Sequence, residues 1–130
     1  MKVITVIFKH DKIDLGYNDL VSVTLPSGRT YVDPDGNEYP SITTVLGALG
    51  KEALQKWKDR VGEEEANAIG FRASSRGTAV HELVEKYLDN EELPAVMPHI
   101  MQSLNSLKPF LHRIGTIYAQ ECPLYSTYLG

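Results

Sequence analysis

The stretch Arg76-Gly77-Thr78-Ala79-Val80-His81, with Glu85 four residues past the histidine, carries the side chains here best suited to chemistry. A histidine and a glutamate four apart on a helix stand one above the other on the same face. The same spacing is common among solvated side chains on surface helices. What raises its weight is the arginine and glycine placed immediately before it.

The elements that must position these residues follow from periodicity and turn chemistry. Ala79, Val80, Leu83, Val84, Tyr87 and Leu88 recur at helical spacing, which predicts a helix over 75–88 with a buried stripe and Ser74 or Ser75 as its N-cap. Before it, Ser41 is placed to cap a short helix ending near Gly47 or Gly50. A further helix over 51–69 would bury Leu54, Trp57 and Val61, with Gly62 weakening its middle. After Asp89-Asn90-Glu91-Glu92-Leu93-Pro94, Ile100, Met101, Leu104, Leu107 and Leu111 predict a helix over 98–111.

Both ends read as strands. Residues 3–8 are rich in β-branched and aromatic side chains, and 21–25 and 29–32 flank Pro26-Ser27-Gly28 as a hairpin. Residues 114–122 and 124–129 read as a second hairpin across Pro123. The predicted fold is α+β: an N-terminal β-hairpin, three or four helices and a C-terminal β-hairpin. It divides into a β-rich segment, 1–40, and a helical part with first core strands, 41–130, within one domain. Asp33-Pro34-Asp35-Gly36-Asn37 begins like a calcium loop, but Glu38 stands where that loop needs glycine and Thr44 where it needs glutamate. It is a turn.

The 130 residues carry a formal net charge of -4, which argues against a chain that coats nucleic acid nonspecifically. It does not exclude a nuclease, because a site for divalent metal needs carboxylates. Lys51, Lys56, Lys58, Arg60, Arg72 and Arg76 cluster in the middle of the chain, beside acidic Glu63, Glu64 and Glu65. Such runs are more often solvated faces than binding surfaces. The single Cys122 excludes an internal disulfide and a multi-cysteine zinc site. With no apolar run of membrane-spanning length and no signal-peptide pattern at the start, the expectation is a cytoplasmic protein without a membrane partner. His99 and His112 have no partner at ligand spacing and are expected at the surface.

Several motifs fall in order: Tyr39-Pro40-Ser41-Ile42-Thr43-Thr44-Val45-Leu46, Leu54 with Trp57, and Arg60-Val61-Gly62. Then come Arg76-Gly77-Thr78 with His81 and Glu85, and Gln120-Glu121-Cys122-Pro123-Leu124-Tyr125-Ser126. The succession, over residues 31–130, resembles the N-terminal half of PD-(D/E)XK exonucleases of the RecB type. The likeness is greatest to the small phage and mitochondrial-genome-maintenance exonucleases. The Arg-Gly-Thr-x-x-His element is its most specific part. The resemblance implies that His81 helps hold Mg²⁺ or Mn²⁺, that Arg76 lies near the phosphate path, and that Glu121 stands on the strand before the catalytic hairpin. It also implies DNA contacts from Lys56, Lys58, Arg60, Arg72 and Arg76. A metal held there would activate water and offset charge on the scissile phosphate.

The residues that name the family are an aspartate followed on the next strand by Asp/Glu-x-Lys. No Asp-x-Lys or Glu-x-Lys occurs in this sequence, and Pro34-Asp35 lies in a turn upstream of the helices. The expectation is therefore the N-terminal portion of a metal-dependent DNA exonuclease with an incomplete core, truncated or completed by a second polypeptide. It would be inactive alone, with the C-terminal hairpin edge open to strand addition or self-association. The alternative is a non-catalytic DNA- or protein-binding adaptor or inhibitor derived from such a nuclease.

Overall fold

The computed structural model describes residues 6–129. Its elements are β1 (Val21–Leu25), β2 (Gly28–Val32), β3 (Glu38–Pro40), α1 (Ile42–Val61), α2 (Glu63–Leu88) and α3 (Pro98–Leu111). The class is α+β, with one three-stranded antiparallel sheet and three helices among the described residues. None of the helices is long and apolar enough to cross a membrane. Two compact units divide the chain: Met1–Ile13 with Glu64–Gln120, and Asp14–Glu63 with Glu121–Gly130.

The second unit is built on consecutive hairpins in the order β1-β2-β3. Leu25 pairs with Gly28 across the two-residue loop Pro26-Ser27, and Val32 pairs with both Val21 and Glu38. Gly28 has φ 131, a conformation that only glycine adopts at low cost. The β2–β3 turn is tied by Asp33. Its Oδ1 accepts from the Asp35 and Asn37 amides at 2.9 and 2.8 Å, and its Oδ2 accepts from Asn37 Nδ2 at 2.9 Å and the Tyr39 hydroxyl at 3.2 Å. Ser41 then caps α1, its Oγ accepting from the Thr44 amide at 3.1 Å. Tyr125 packs against Tyr17 and Tyr39, with ring centroids 5.2 and 5.7 Å away.

The helices of this region differ from those read from sequence. The two helices expected over 41–50 and 51–69 are one, running through Gly47 and Gly50 to Val61. The chain breaks instead at Gly62, which takes φ 90 and ψ 150. In a helix interior glycine costs only about 1 kcal/mol, so a helix passes through unless the backbone must turn. The buried face expected for Leu54, Trp57 and Val61 is not formed. Leu54 is exposed, Trp57 and Val61 are half-buried, and α1 buries no residue completely. The apolar sheet residues Val21, Val23 and Leu25 are themselves exposed.

The first unit has the apolar core. Leu83 of α2 and Ile100 and Leu104 of α3 are buried together, with Ala79, Val80, Val84, Tyr87, Leu93, Val96, Met101 and Leu111 packed around them. This is the stripe expected from sequence. Its helix nevertheless begins at Glu63, not at a cap on Ser74 or Ser75, because α2 continues through Gly70 and Gly77 without a turn. The helix α3 spans the expected residues. Pro98 stands at its first turn, where proline's missing N–H costs nothing.

The C-terminal β-hairpin is not present among the described residues. Ile117 instead forms an isolated parallel bridge with His10, donating to the Lys9 carbonyl at 2.8 Å and accepting from the Asp11 amide at 2.9 Å. Those bonds use up its backbone groups. Glu121 takes φ 50, turning the chain where a strand had been expected to continue, and Pro123 has no N–H for a ladder. The strand expected over 3–8 lies partly outside the described residues, and 6–8 are in no strand.

Candidate functional site

Arg76 and His81 lie on α2 in the first unit, and both are exposed. At 100° per residue, five positions put them about 140° apart around the helix axis. Arg76 is turned to α3: its Nη2 donates to Ser103 Oγ at 3.0 Å. That hydroxyl donates in turn to the His99 carbonyl at 3.0 Å. His81 keeps the i, i+4 relation to Glu85, which is half-buried. The Glu85 carbonyl accepts from Gln120 Nε2 at 3.0 Å, which joins the segment after α3 to α2. Glu121 is exposed and belongs to the second unit. Arg76 and His81 thus lie on two sides of α2, while His81 and Glu85 keep the same face.

The expected DNA-contacting residues also fall in both units. Lys56, Lys58 and Arg60 are on α1, where Lys56 pairs with Glu52 at 2.7 Å. Arg72 and Arg76 are on α2, where Arg72 lies 3.7 Å from Glu65. Both ion pairs are well exposed and therefore contribute little to stability, leaving these cations close to solvent. Among the described residues no three His, Cys, Asp or Glu side chains gather as a group able to hold a metal ion.

The most heavily bonded carboxylate is Asp33. Hydrogen bonding from the Asn37 side chain holds its carboxyl below the ordinary 3.8, against the opposing effect of burial. Burial raises the Tyr39 hydroxyl above the ordinary 10.0, with its bond to Asp33 adding to the rise. Tyr125 is raised for the same first reason, with Asp33 and Asp35 nearby. Every lone-pair direction of Asp33 is spent on its own turn, so this cluster organises the loop. Cys122 is half-buried and forms no disulfide.

Sequence reasoning gave no role to Phe8, His10 or Asn90, and it placed His112 at the surface, where it is, without its Tyr87 partner. His112 Nε2 lies 2.6 Å from the Tyr87 hydroxyl, and the Phe8 ring packs on both Tyr87 and His112. The available signal was Asn90, two residues past the end of a helix, since asparagine is favoured in the left-handed conformation that ends helices. No protein-family model matches the chain, no curated protein matches its sequence, and no solved structure matches its fold.

Proposed function

We propose that this chain carries the N-terminal portion of a metal-dependent DNA exonuclease, with its catalytic carboxylates and lysine supplied by further residues of a longer chain or by a second polypeptide. The observation that carries the reading is the Arg76-Gly77-Thr78-x-x-His81 element on one unbroken helix, with Arg76 and His81 both exposed. His81 stands there beside solvent and one turn before Glu85. In the completed enzyme His81 would contribute a neutral nitrogen to Mg²⁺ or Mn²⁺ otherwise held by oxygen ligands. The metal would generate the attacking hydroxide and offset charge on the phosphate. Arg76, braced by Ser103, would offer its remaining guanidinium donors to a phosphate. Lys56, Lys58, Arg60 and Arg72 would add sequence-independent attraction to DNA.

The test is degradation of end-labelled DNA, with Mg²⁺ or Mn²⁺, by the complex that the tagged chain forms in its own cells. The expected result is nuclease activity in the complex and none in the purified chain. Activity should be lost in a His81→Ala complex whose helical circular dichroism is unchanged. A complex, or a longer form of the chain, whose activity is indifferent to His81 overturns the reading.

A further inference from the structure

The end of α2 is arranged to hold an extended peptide. Its last carbonyls are all accounted for. The Asn90 amide donates to the Tyr87 carbonyl at 3.2 Å and the Glu91 amide to the Lys86 carbonyl at 3.0 Å. Asn90 itself is left-handed, at φ 60. This is the paired closure of a Schellman turn with asparagine in the glycine position. The Glu85 carbonyl serves the Asp89 amide and Gln120, which leaves the Leu88 carbonyl. That carbonyl accepts from His10 Nε2 at 2.7 Å, which sets the proton on that nitrogen.

The turn also aims the Asn90 side chain at the backbone of one residue. Asn90 Oδ1 accepts from the Phe8 N–H at 2.8 Å, and Asn90 Nδ2 donates to the Phe8 carbonyl at 2.9 Å. A primary amide thereby imitates a neighbouring strand. Phe8 is 6% exposed, its ring edge-on to Tyr87 at 5.4 Å and tilted against His112 at 6.2 Å. The Tyr87–His112 bond fixes those two rings, and Lys108 lies 5.3 Å over the Tyr87 ring. On the other side Ile117 and Tyr118 supply strand-type bonds to Lys9, Asp11 and Ile13 at 2.8–3.0 Å. Ile7, Lys9 and Asp11 point their side chains to solvent.

All these walls come from Glu64–Gln120, which forms one compact unit with the segment they hold, although residues 14–63 of the other unit separate the two in sequence. The connecting residues supply none of these walls, so covalent linkage acts on the segment only by raising its effective concentration. We propose that this groove is a peptide-binding site that reads Phe-x-His in an extended strand, and that residues 6–13 are its resident ligand in cis. Asn90, Ile117 and Tyr118 take the backbone, as in strand addition, while Tyr87 with His112 and the Leu88 carbonyl read the two side chains. The same segment from another copy, or a partner presenting Phe-x-His, meets the same chemistry.

The experiment uses the full chain with Phe8→Ala and His10→Ala, which leaves the groove intact and weakens its own occupant. A fluorescein-labelled peptide of residues 6–13 is titrated against it by anisotropy. Saturable binding is expected, at least tenfold weaker to the wild-type chain, where the groove is filled. It should be lost when Asn90→Gly is added, a change that keeps the left-handed turn and removes the amide. A peptide with Phe8→Ala should not bind. If the double variant is unfolded alone, the peptide should restore its helical circular dichroism. Absence of binding and of restoration, or binding indifferent to Asn90→Gly, overturns the site. A second arm follows the wild-type chain by sedimentation: a monomer at every concentration supports the cis segment as occupant, and a dimer that is lost in Asn90→Gly overturns it in favour of a second copy.

Discussion

Arg76 and Ser103 join α2 to α3 through a 3.0 Å bond from the guanidinium to a hydroxyl that is itself bonded to the His99 carbonyl. The arginine of the most distinctive sequence element therefore has a packing role as well as any role toward phosphate. The two roles separate by magnitude. An exposed hydrogen bond to a charged group, on a surface open to water, contributes at most about 1 kcal/mol. Arg76→Ala should lower the urea midpoint only slightly, and Ser103→Ala should do the same. In the active complex of the proposed nuclease, Arg76→Ala should reduce DNA cleavage at least tenfold, while Ser103→Ala should have a smaller effect. Equal losses from both would assign Arg76 to helix packing.

The core of the first unit rests on few side chains, so truncating one should be costly. Leu104 is 0% exposed and Leu83 1% exposed, each between α2 and α3. Leu104→Ala should destabilise by about 2–5 kcal/mol, the range for buried leucines whose surroundings relax only partly. Leu49→Ala on α1 should change stability little, since Leu49 is 87% exposed. Chemical denaturation followed by circular dichroism compares the two directly.

Asp33 should make the stability of its turn depend on acid. Its folded-state pKa lies below the ordinary 3.8, chiefly through the Asn37 side-chain bond. A depressed carboxyl pKa stabilises the fold above the unfolded-state value, and that contribution disappears as pH falls through the folded value. Wild type should therefore exceed Asp33→Asn in melting temperature by a constant margin between about pH 5 and pH 8. The margin should shrink below the ordinary 3.8. A margin unchanged to the acid limit would mean that the charge of Asp33 does not matter.

Gly28 is placed where any side chain meets two obstacles. Its φ of 131 is strained for other residues, and an added Cβ would come within 2.6 Å of Thr44 Cγ2. Gly28→Ala should destabilise by about 1–3 kcal/mol. Adding Thr44→Ala should recover the part due to collision and leave the backbone part. A double-mutant cycle measures that split.

Local chemistry made some of this protein legible from its sequence. Pro26-Ser27-Gly28 predicted the β1–β2 hairpin, and Ser41 predicted the start of α1, because a turn and a cap depend on a few adjacent residues. The apolar spacing from Ile100 to Leu111 predicted α3, and the spacing from Ala79 to Leu88 predicted the core stripe. The Arg76–His81 element was equally visible as a string of letters. What the string did not convey was the turn of Arg76 to Ser103 on α3.

Pairing over long sequence distances was decided by tertiary structure. Residues 114–122 alternate as a strand, yet Ile117 finds its partner at His10 rather than in the following segment. Alternation specifies a strand-like backbone and leaves the identity of its neighbour open. Phe8 and Asn90, 82 residues apart, show the same limit: either residue alone is an ordinary apolar or turn residue. By itself the sequence determined α3, the β1–β2 turn, the cap of α1 and the apolar stripe, whose causes lie within a few residues. Only the tertiary structure decided which helix glycines turn and which strand-like segment meets another, because burial and hydrogen-bond satisfaction are settled among all available partners at once.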